Sequence, residues 1–319
     1  MSKPFIEVKN LTKYYKMKVQ KRAFRNLLFP TYEDFLAIKD ISFDIKRNEI
    51  FGILGPNGAG KTTTIKCLCG LLAPTSGTII IDNYDVVKYF FKIQTMAGTM
   101  FGNTMIYYRL TGYDNLKYYC RVYNIENFKE RVDYLIKLVD LEKWKHQLVE
   151  NYSLGMKSKL ALARALVHDP EILLLDEPTL GLDPKNSLFI RQLLKKMEKT
   201  IIITTHNLEV ANDVCSRIAL LKDGEIITID TPKKLRKSVF SSHILEVETP
   251  EEEKIINEVR GLDFIEEINQ IEDYKIQIRY KFEENLNKIL AIISKNKINS
   301  LKNIVPSLED AFFKFTGEK

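Results

Sequence analysis

The stretch Glu49–Ile65, EIFGILGPNGAGKTTTI, restricts the fold of this chain more than any other. Ile50, Phe51, Ile53 and Leu54 are bulky and apolar, the make-up of a strand buried on both faces. Gly55, Pro56, Asn57, Gly58, Ala59, Gly60, Lys61 and Thr62 then match G-x-x-x-x-G-K-[ST] without a mismatch. Glycines let such a loop bend until successive N–H groups converge on phosphate oxygens. A helix predicted over Thr62–Leu72, with Thr63 in its first turn, adds its dipole to that cradle. Lys61 supplies a mobile cation for β- and γ-phosphates, and the Thr62 hydroxyl is a hard oxygen suited to Mg²⁺. Strand, loop and helix in this order imply a nucleoside triphosphate site.

At 319 residues the chain is long enough for one large domain and one small one. An apolar fraction of 45% and a charged fraction of 28% are ordinary for a globular protein. The net charge of +6 comes from basic residues mostly interleaved with acids, so charge does not call for a nucleic-acid partner. No apolar run approaches the roughly 18 residues of a membrane helix, and MSKPFIEVKN lacks the apolar core of a signal peptide. A cytoplasmic chain is expected. Cys67, Cys69, Cys120 and Cys215 have no zinc-type spacing; the first two read as small packing residues.

Phe5–Val8 reads as a first strand. Tyr14 or Tyr15, just after it, stands where an aromatic side chain can stack on a base or simply fill space. Residues 16–36 are an insert rich in Lys16, Lys18, Lys21, Arg22 and Arg25. Val19, Ala23, Phe24, Leu27 and Leu28 fall at helical spacing, which predicts a short basic amphipathic helix ending near Pro30. It would lie on anionic headgroups or a membrane partner, or else serve as a solvated cap on a sheet edge. Ile93–Phe101 is expected as a strand, and residues from about 103 as a helical subdomain. Ser153 occupies the N-cap position of a helix running through Lys157–Val167, leaving N–H groups free for an anion. Glu171–Glu177 is a buried strand that delivers Asp176 and Glu177 at its carboxyl end, where open α/β sheets place ligands. Asp176 is the candidate magnesium ligand and Glu177 the candidate general base for an attacking water. Thr200–His206 is a further buried strand, and His206 ends it two places after Thr204, where a γ-phosphate contact is available. His146, His168 and His243 read as structural.

Assembled, these pieces resemble the ATP-binding subunit of ABC transporters over about residues 4–235. The narrowing motif is Tyr152-Ser-Leu-Gly-Met156 followed by KSKLALARAL, which looks like the ABC signature. It departs from the usual Leu-Ser-Gly-Gly-Gln at Leu154 and Met156 but keeps Ser153 and Gly155. Gly181-Leu-Asp183 is similar to the loop after the carboxylates, His206 to the switch histidine and Tyr15 to the base-stacking aromatic. Where the family has a glutamine touching Mg²⁺ and water, this chain reads Gly102-Asn103, so Asn103 is the candidate there. The resemblance implies an α/β P-loop NTPase (ABC ATPase) core with a helical insertion, binding ATP and Mg²⁺. It also implies a head-to-tail homodimer, in which Ser153 and Gly155 close over the ATP of the other copy. An integral membrane permease is the further partner, which would hold the chain on the cytoplasmic face of the membrane.

The family core is expected over residues 1–238, with the helical subdomain at about 103–165, and an accessory domain over 239–319. The latter patterns as βαββαβ, a small α+β ferredoxin-like domain, with a capping box at Ser307–Asp310 opening a last helix. Its ending, SLEDAFFKFTG, is similar to ATPases of the drug, antibiotic and sodium export branch, which makes export the expected direction. A soluble ABC-type ATPase working on the ribosome is the competing class, but such chains carry two cassettes. A P-loop GTPase would need an Asn-Lys-x-Asp motif, which the sequence lacks.

Overall fold

The structure is a computed structural model and describes residues 3–19, 31–102, 105–238, 243–304 and 307–316. The chain divides into two compact units, Met1–Pro232 and Lys233–Lys319.

The first unit opens with a long hairpin of β1 (Ile6–Val19) and β2 (Thr31–Ile45). β3 (Ile50–Leu54) leads through the glycine loop into α1 (Lys61–Leu68), shorter than predicted because Cys69 leaves the helix and Gly70 turns left-handed. β4 (Ser76–Ile81), β5 (Tyr84–Asp85), α2 (Phe90–Met96) and β6 (Ala97–Phe101) follow. The helical insertion contributes α3 (Gly112–Val122), α4 (Phe128–Leu138) and α5 (Leu154–Ala165). Then come β7 (Ile172–Asp176), α6 (Pro184–Lys195), β8 (Thr200–Thr205), α7 (Leu208–Val214), β9 (Arg217–Lys222) and β10 (Glu225–Asp230).

Two expectations fail here. The basic helix at 16–36 is absent from its described ends: Lys16–Val19 pairs with Thr31–Asp34 in an antiparallel ladder that prolongs β1 and β2. Cross-strand partners such as Lys16 and Asp34 complement each other in charge, and Val19, the first residue of the helical spacing, ends β1; the others, Ala23, Phe24, Leu27 and Leu28, lie outside the described residues. Ile93–Phe101 is also not one strand. Phe90–Met96 is helical, burying Ile93 and Met96 three residues apart while leaving Phe91 exposed, and only Ala97–Phe101 is extended.

A six-stranded sheet in the order β10-β9-β3-β8-β7-β6 carries the unit, all parallel except the edge strand β10; a four-stranded antiparallel sheet runs β2-β1-β4-β5. Successive strand residues face opposite sides, and this separates two cores. Phe51, Ile53, Ile172, Leu174 and Ile202 pack with Ile65 and Leu68 of α1 and with the antiparallel sheet. Leu173, Leu175, Ile201 and Ile203 pack with Leu116, Val132, Leu135, Leu160 and Leu162 of the helical insertion. Register decides what meets at the carboxyl ends: Ile53 lies opposite Thr204, Thr204 opposite Asp176, and Asp176 opposite Phe101. The four cysteines are free and buried; burial pushes the Cys67 and Cys215 thiols up to about 12. They are inert packing groups.

α8 (Pro232–Lys237) begins at the boundary. The second unit then runs β11 (His243–Glu248), α9 (Glu252–Arg260), β12 (Ile265–Glu272), β13 (Lys275–Tyr280), α10 (Leu286–Ile293), β14 (Ser300–Ile304) and α11 (Leu308–Thr316). Its sheet order, β12-β13-β11-β14 with every pair antiparallel, is the ferredoxin-like arrangement. Leu245, Val247, Ile276 and Ile278 form one side of its core, and Ile255, Val259, Ile289 and Ile293 the other. At the start of α11 the Ser307 hydroxyl accepts from Asp310 N–H while Asp310 accepts from Ser307 N–H, a reciprocal capping box.

Candidate nucleotide site

The phosphate loop owes its shape to close backbone approaches. A Cβ on Gly55 would stand 2.1 Å from the Leu221 carbonyl oxygen, and one on Gly60 2.5 Å from that of Ala37. Gly58, by contrast, has open space beside it but a φ of +84°, so its backbone rather than its surroundings calls for glycine. Ala59 is buried within the turn and Gly60 caps α1 without a side-chain hydrogen bond, so the N–H groups of the first helical turn remain available to an anion. Lys61 is buried, and its Nζ donates to the carbonyls of Gly55 (2.7 Å) and Pro56 (3.0 Å).

The strand ends bring the carboxylates to this loop. The Thr62 hydroxyl donates to Asp176 Oδ2 at 2.8 Å. Glu177 adopts φ +50°, and its Oε1 lies 2.9 Å from His206 Nδ1 and 3.5 Å from Lys61 Nζ. Because the carboxylate accepts, the proton of that contact sits on His206 Nδ1, leaving Nε2 as the second functional nitrogen. Thr204, two residues before His206, is fully buried beside the two acids. Its hydroxyl donates to Asp176 Oδ1 and accepts from Glu177 N–H at 3.2 Å. It positions both acids.

A pocket of about 290 Å³ opens over the loop, lined by Tyr15, Phe35, Ala37, Asn57, Gly58, Gly60, Lys61, Thr62, Thr63 and Glu177. Tyr15, rather than the exposed Tyr14, lines it, and the Tyr15 hydroxyl lies 3.3 Å from that of Thr63. Phe35 was hidden in the predicted insert. It lies directly opposite Tyr15 in the β1–β2 ladder, and so on the same face. A strand pattern through Tyr32–Ile38 was the signal that could have found it.

Ser153 is the N-cap of α5, accepting from Met156 N–H at 3.2 Å. Gly155 packs on Asn186 of α6 so closely that a Cβ would lie 2.5 Å from Nδ2. Asn186 in turn donates from N–H and side chain to Asp183, the N-cap of α6, at 2.9 and 2.6 Å. These bonds hold the Asp183 carboxyl below the usual range. Gly155 is thus buried against Asn186 while Ser153 and Asp183 are exposed, and none of the three lines the pocket above the loop. Asn103 lies outside the described residues; Gly102, just before it, directs its N–H toward the Asp176 carbonyl at 3.4 Å. Gln94 bonds the Cys69 carbonyl at 2.6 Å.

The other histidines sit against aromatic rings: His146 on Tyr113, His168 on Tyr123 and His243 on Tyr280. Tyr107 and Tyr108 are about half exposed on the helical insertion, whereas Tyr113 packs on its core. Among the described residues no helix is long and apolar enough to cross a membrane.

The fit to a nucleotide and its metal follows from these donors. A buried ammonium, open N–H groups and two aromatic walls suit a purine nucleoside triphosphate. A hydroxyl and a carboxylate in contact are hard oxygens that suit Mg²⁺. Among the described residues no cluster of three or more His, Cys, Asp or Glu side chains could hold a metal, so phosphate and water oxygens would complete its shell.

Residues 38–180 match the sequence profile of the ABC transporter family. The uncharacterized ABC transporter ATP-binding protein YhcH of Bacillus subtilis is 37% identical over 286 residues, 88% of this chain and 91% of the relative. The fluoroquinolones export ATP-binding protein Rv2688c of Mycobacterium tuberculosis is 38% identical over 203 residues, 63% of this chain and 67% of the relative. Among solved structures, the dimeric post-hydrolysis state of the ATP-binding cassette MJ0796 bound to ADP and Pi superposes with a TM-score of 0.62. It is 31% identical and covers 71% of this chain and 98% of its own.

Proposed function

The chain belongs to the family of ABC transporter ATP-binding proteins, and on that premise we propose that it powers export of a substrate through a separate integral membrane permease. It is an ATPase. The observation that carries the site assignment is the placement of Glu177 between Lys61 and His206, beside the Thr62–Asp176 contact.

The loop N–H groups and Lys61 bind the β- and γ-phosphates, exchanging carbonyl partners for phosphate oxygens. Tyr15 and Phe35 stack against the base. Thr62 and Asp176 would hold Mg²⁺, which would supply Lewis-acid neutralisation of phosphate charge. Glu177 orients an attacking water and takes its proton, while the His206 Nδ1–H fixes the Glu177 carboxylate and its Nε2 faces the transferred phosphoryl. Asn103 is the candidate amide for the water and the metal.

Ser153, Gly155 and Asp183 lie outside the pocket lining, which supports a site completed by a second copy. In a head-to-tail homodimer the uncapped N–H groups of α5 close on the γ-phosphate held by the partner. The dimeric cassette of 31% identity supports this assembly, and the relative named for fluoroquinolone export supports the direction. The chain would then sit on the cytoplasmic face of the membrane through its permease.

The test is to identify the permease by pulldown of the full chain from membranes, then reconstitute the pair. ATP-dependent uptake into inside-out vesicles is the expected result. Uptake only into right-side-out vesicles would reverse the direction, and recovery with ribosomes rather than with a polytopic membrane protein would remove the transport reading.

A further inference from the structure

Arg164 lies in the last turn of α5, and only 5% of its surface is exposed. Its Nη2 donates to the Thr99 carbonyl of β6, and its guanidinium stands over the Tyr119 ring, 5.4 Å from the centroid. The buried Nε has no hydrogen-bond partner among the described residues. Burial pulls the guanidinium below the ordinary arginine range, and the groups opposing that shift are Tyr119 and Tyr123 rather than a carboxylate. A cation held this way is costly to bury, and such a group invites a reason for its position.

Its neighbours supply one. Tyr119, on α3, donates its hydroxyl to the Met105 carbonyl at 2.6 Å. Met105 has φ +67°, a left-handed conformation that a side chain such as methionine adopts only when its surroundings impose it. Gly102, also left-handed at +54°, leaves β6 where Phe101 pairs with Asp176. At the same level α5 is pressed onto β6: a Cβ on Gly98 would lie 2.1 Å from the Ala165 carbonyl oxygen.

We propose that Arg164 and Tyr119 are positioning residues for hydrolysis, a clamp that ties the Ser153-bearing helix α5 to β6, the strand paired with the one that ends in Asp176. The helix is a rigid rod, carrying Ser153 about 16 Å from Arg164 at 1.5 Å per residue. When its N-terminal end engages phosphate, the far end carries Arg164, and with it the Thr99 carbonyl and the Tyr119 ring. The Tyr119 hydroxyl converts ring position into the backbone conformation of Met105. Anion engagement at one end of α5 is thereby read at the strand end that presents the metal ligand. The contiguous path runs from Arg164 through the Thr99 carbonyl and the β6–β7 ladder to Asp176, and its coupling is read by experiment.

The inference rests on the ATPase reading and on Ser153 meeting nucleotide. The test is steady-state ATP hydrolysis by the full chain with Tyr119→Phe, Arg164→Lys and the double variant, alongside titration with a fluorescent ATP analogue. Tyr119→Phe keeps the ring under Arg164 and removes the hydroxyl with its bonds to the Met105 carbonyl and to Tyr107. Its kcat should fall about 2- to 10-fold, with KM and nucleotide affinity at native values and the melting temperature within about 2–4 °C of native. Arg164→Lys keeps the charge but loses the planar fork, and should lower kcat in the same way. The double variant should be no slower than the slower single one, because both act through one contact chain.

Native kcat in Tyr119→Phe would overturn the proposal. A rise in KM at unchanged kcat, or losses that multiply in the double variant, would overturn it as well. If Arg164→Lys does not fold, Tyr119→Phe decides alone. A native chain that bound but did not turn over ATP would instead overturn the ATPase reading, visible in the control.

Discussion

Glu177 is held on three sides: its N–H by the Thr204 hydroxyl, its carboxylate by His206 and, at longer range, by Lys61. Replacing it with glutamine keeps the shape and removes the proton acceptor. Glu177→Gln should therefore bind ATP with native affinity while kcat falls about 10²–10⁴-fold, measured by equilibrium titration and phosphate release. Both carboxylates could be read from the order Ile-Leu-Leu-Leu-Asp-Glu, because a buried strand that ends in acids places them at the sheet's carboxyl edge. What could not be read was the task of Thr204, whose hydroxyl serves two acids on the neighbouring strand only because the register sets it opposite Asp176. At another site, burial pushes the His168 imidazole down to about 4. Its folded value lies below the unfolded one, so the contribution is complete above about pH 6.5 and declines as pH falls toward 4. At pH 5 the native chain should have lost on the order of 1–2 kcal/mol relative to pH 7 from this group, after allowance for its partial exposure. His168→Phe should remove that part of the loss, as read by urea denaturation at the two pH values.

Among elements, the β1–β2 hairpin changes the picture most. Helical spacing in the insert ran from Val19 to Leu28, but Val19 ends β1 and Thr31 begins β2. Once paired, the ladder sets Phe35 beside Tyr15 and gives the base pocket a second aromatic wall. Phe35→Ala should raise KM for ATP roughly 5- to 10-fold, as expected for loss of one stacking face of about 1 kcal/mol. The kcat should stay near native, because the phosphate machinery is untouched; initial-rate kinetics over ATP concentration separate the two. α5 illustrates the opposite case. Ser153 was legible as an N-cap from its type and place, and the structure bears the cap out. The packing of Gly155 on Asn186 was not, since it joins residues of two helices that only the fold brings together.

At the scale of the whole molecule, one copy carries a phosphate cradle and, on a different surface, a serine-capped helix end. Two copies arranged head to tail would join each to the other. With Glu177→Gln, ATP and magnesium together, light scattering should show a dimer that dissociates when ATP is removed; with Ser153→Arg added, the same mixture should remain monomeric. A strictly monomeric Glu177→Gln chain under saturating ATP, even with its permease present, would remove the shared-site assembly.

The sequence by itself determined what is local and contiguous. The loop from Gly55 to Thr62, the acidic end of β7, the cap at Ser153 and the βαββαβ order of the second unit each depend on neighbours a few residues away. Backbone conformation and periodicity write those features directly into residue order. The tertiary structure alone decided what depends on pairing between distant segments: Phe35 facing the pocket, Thr204 shared by the Asp176 carboxylate and the Glu177 N–H, Asn186 against Gly155, and Arg164 bound to Thr99. Such contacts follow from strand register and helix packing, and a shift of one residue in either would leave every local motif intact while sending these side chains to another face.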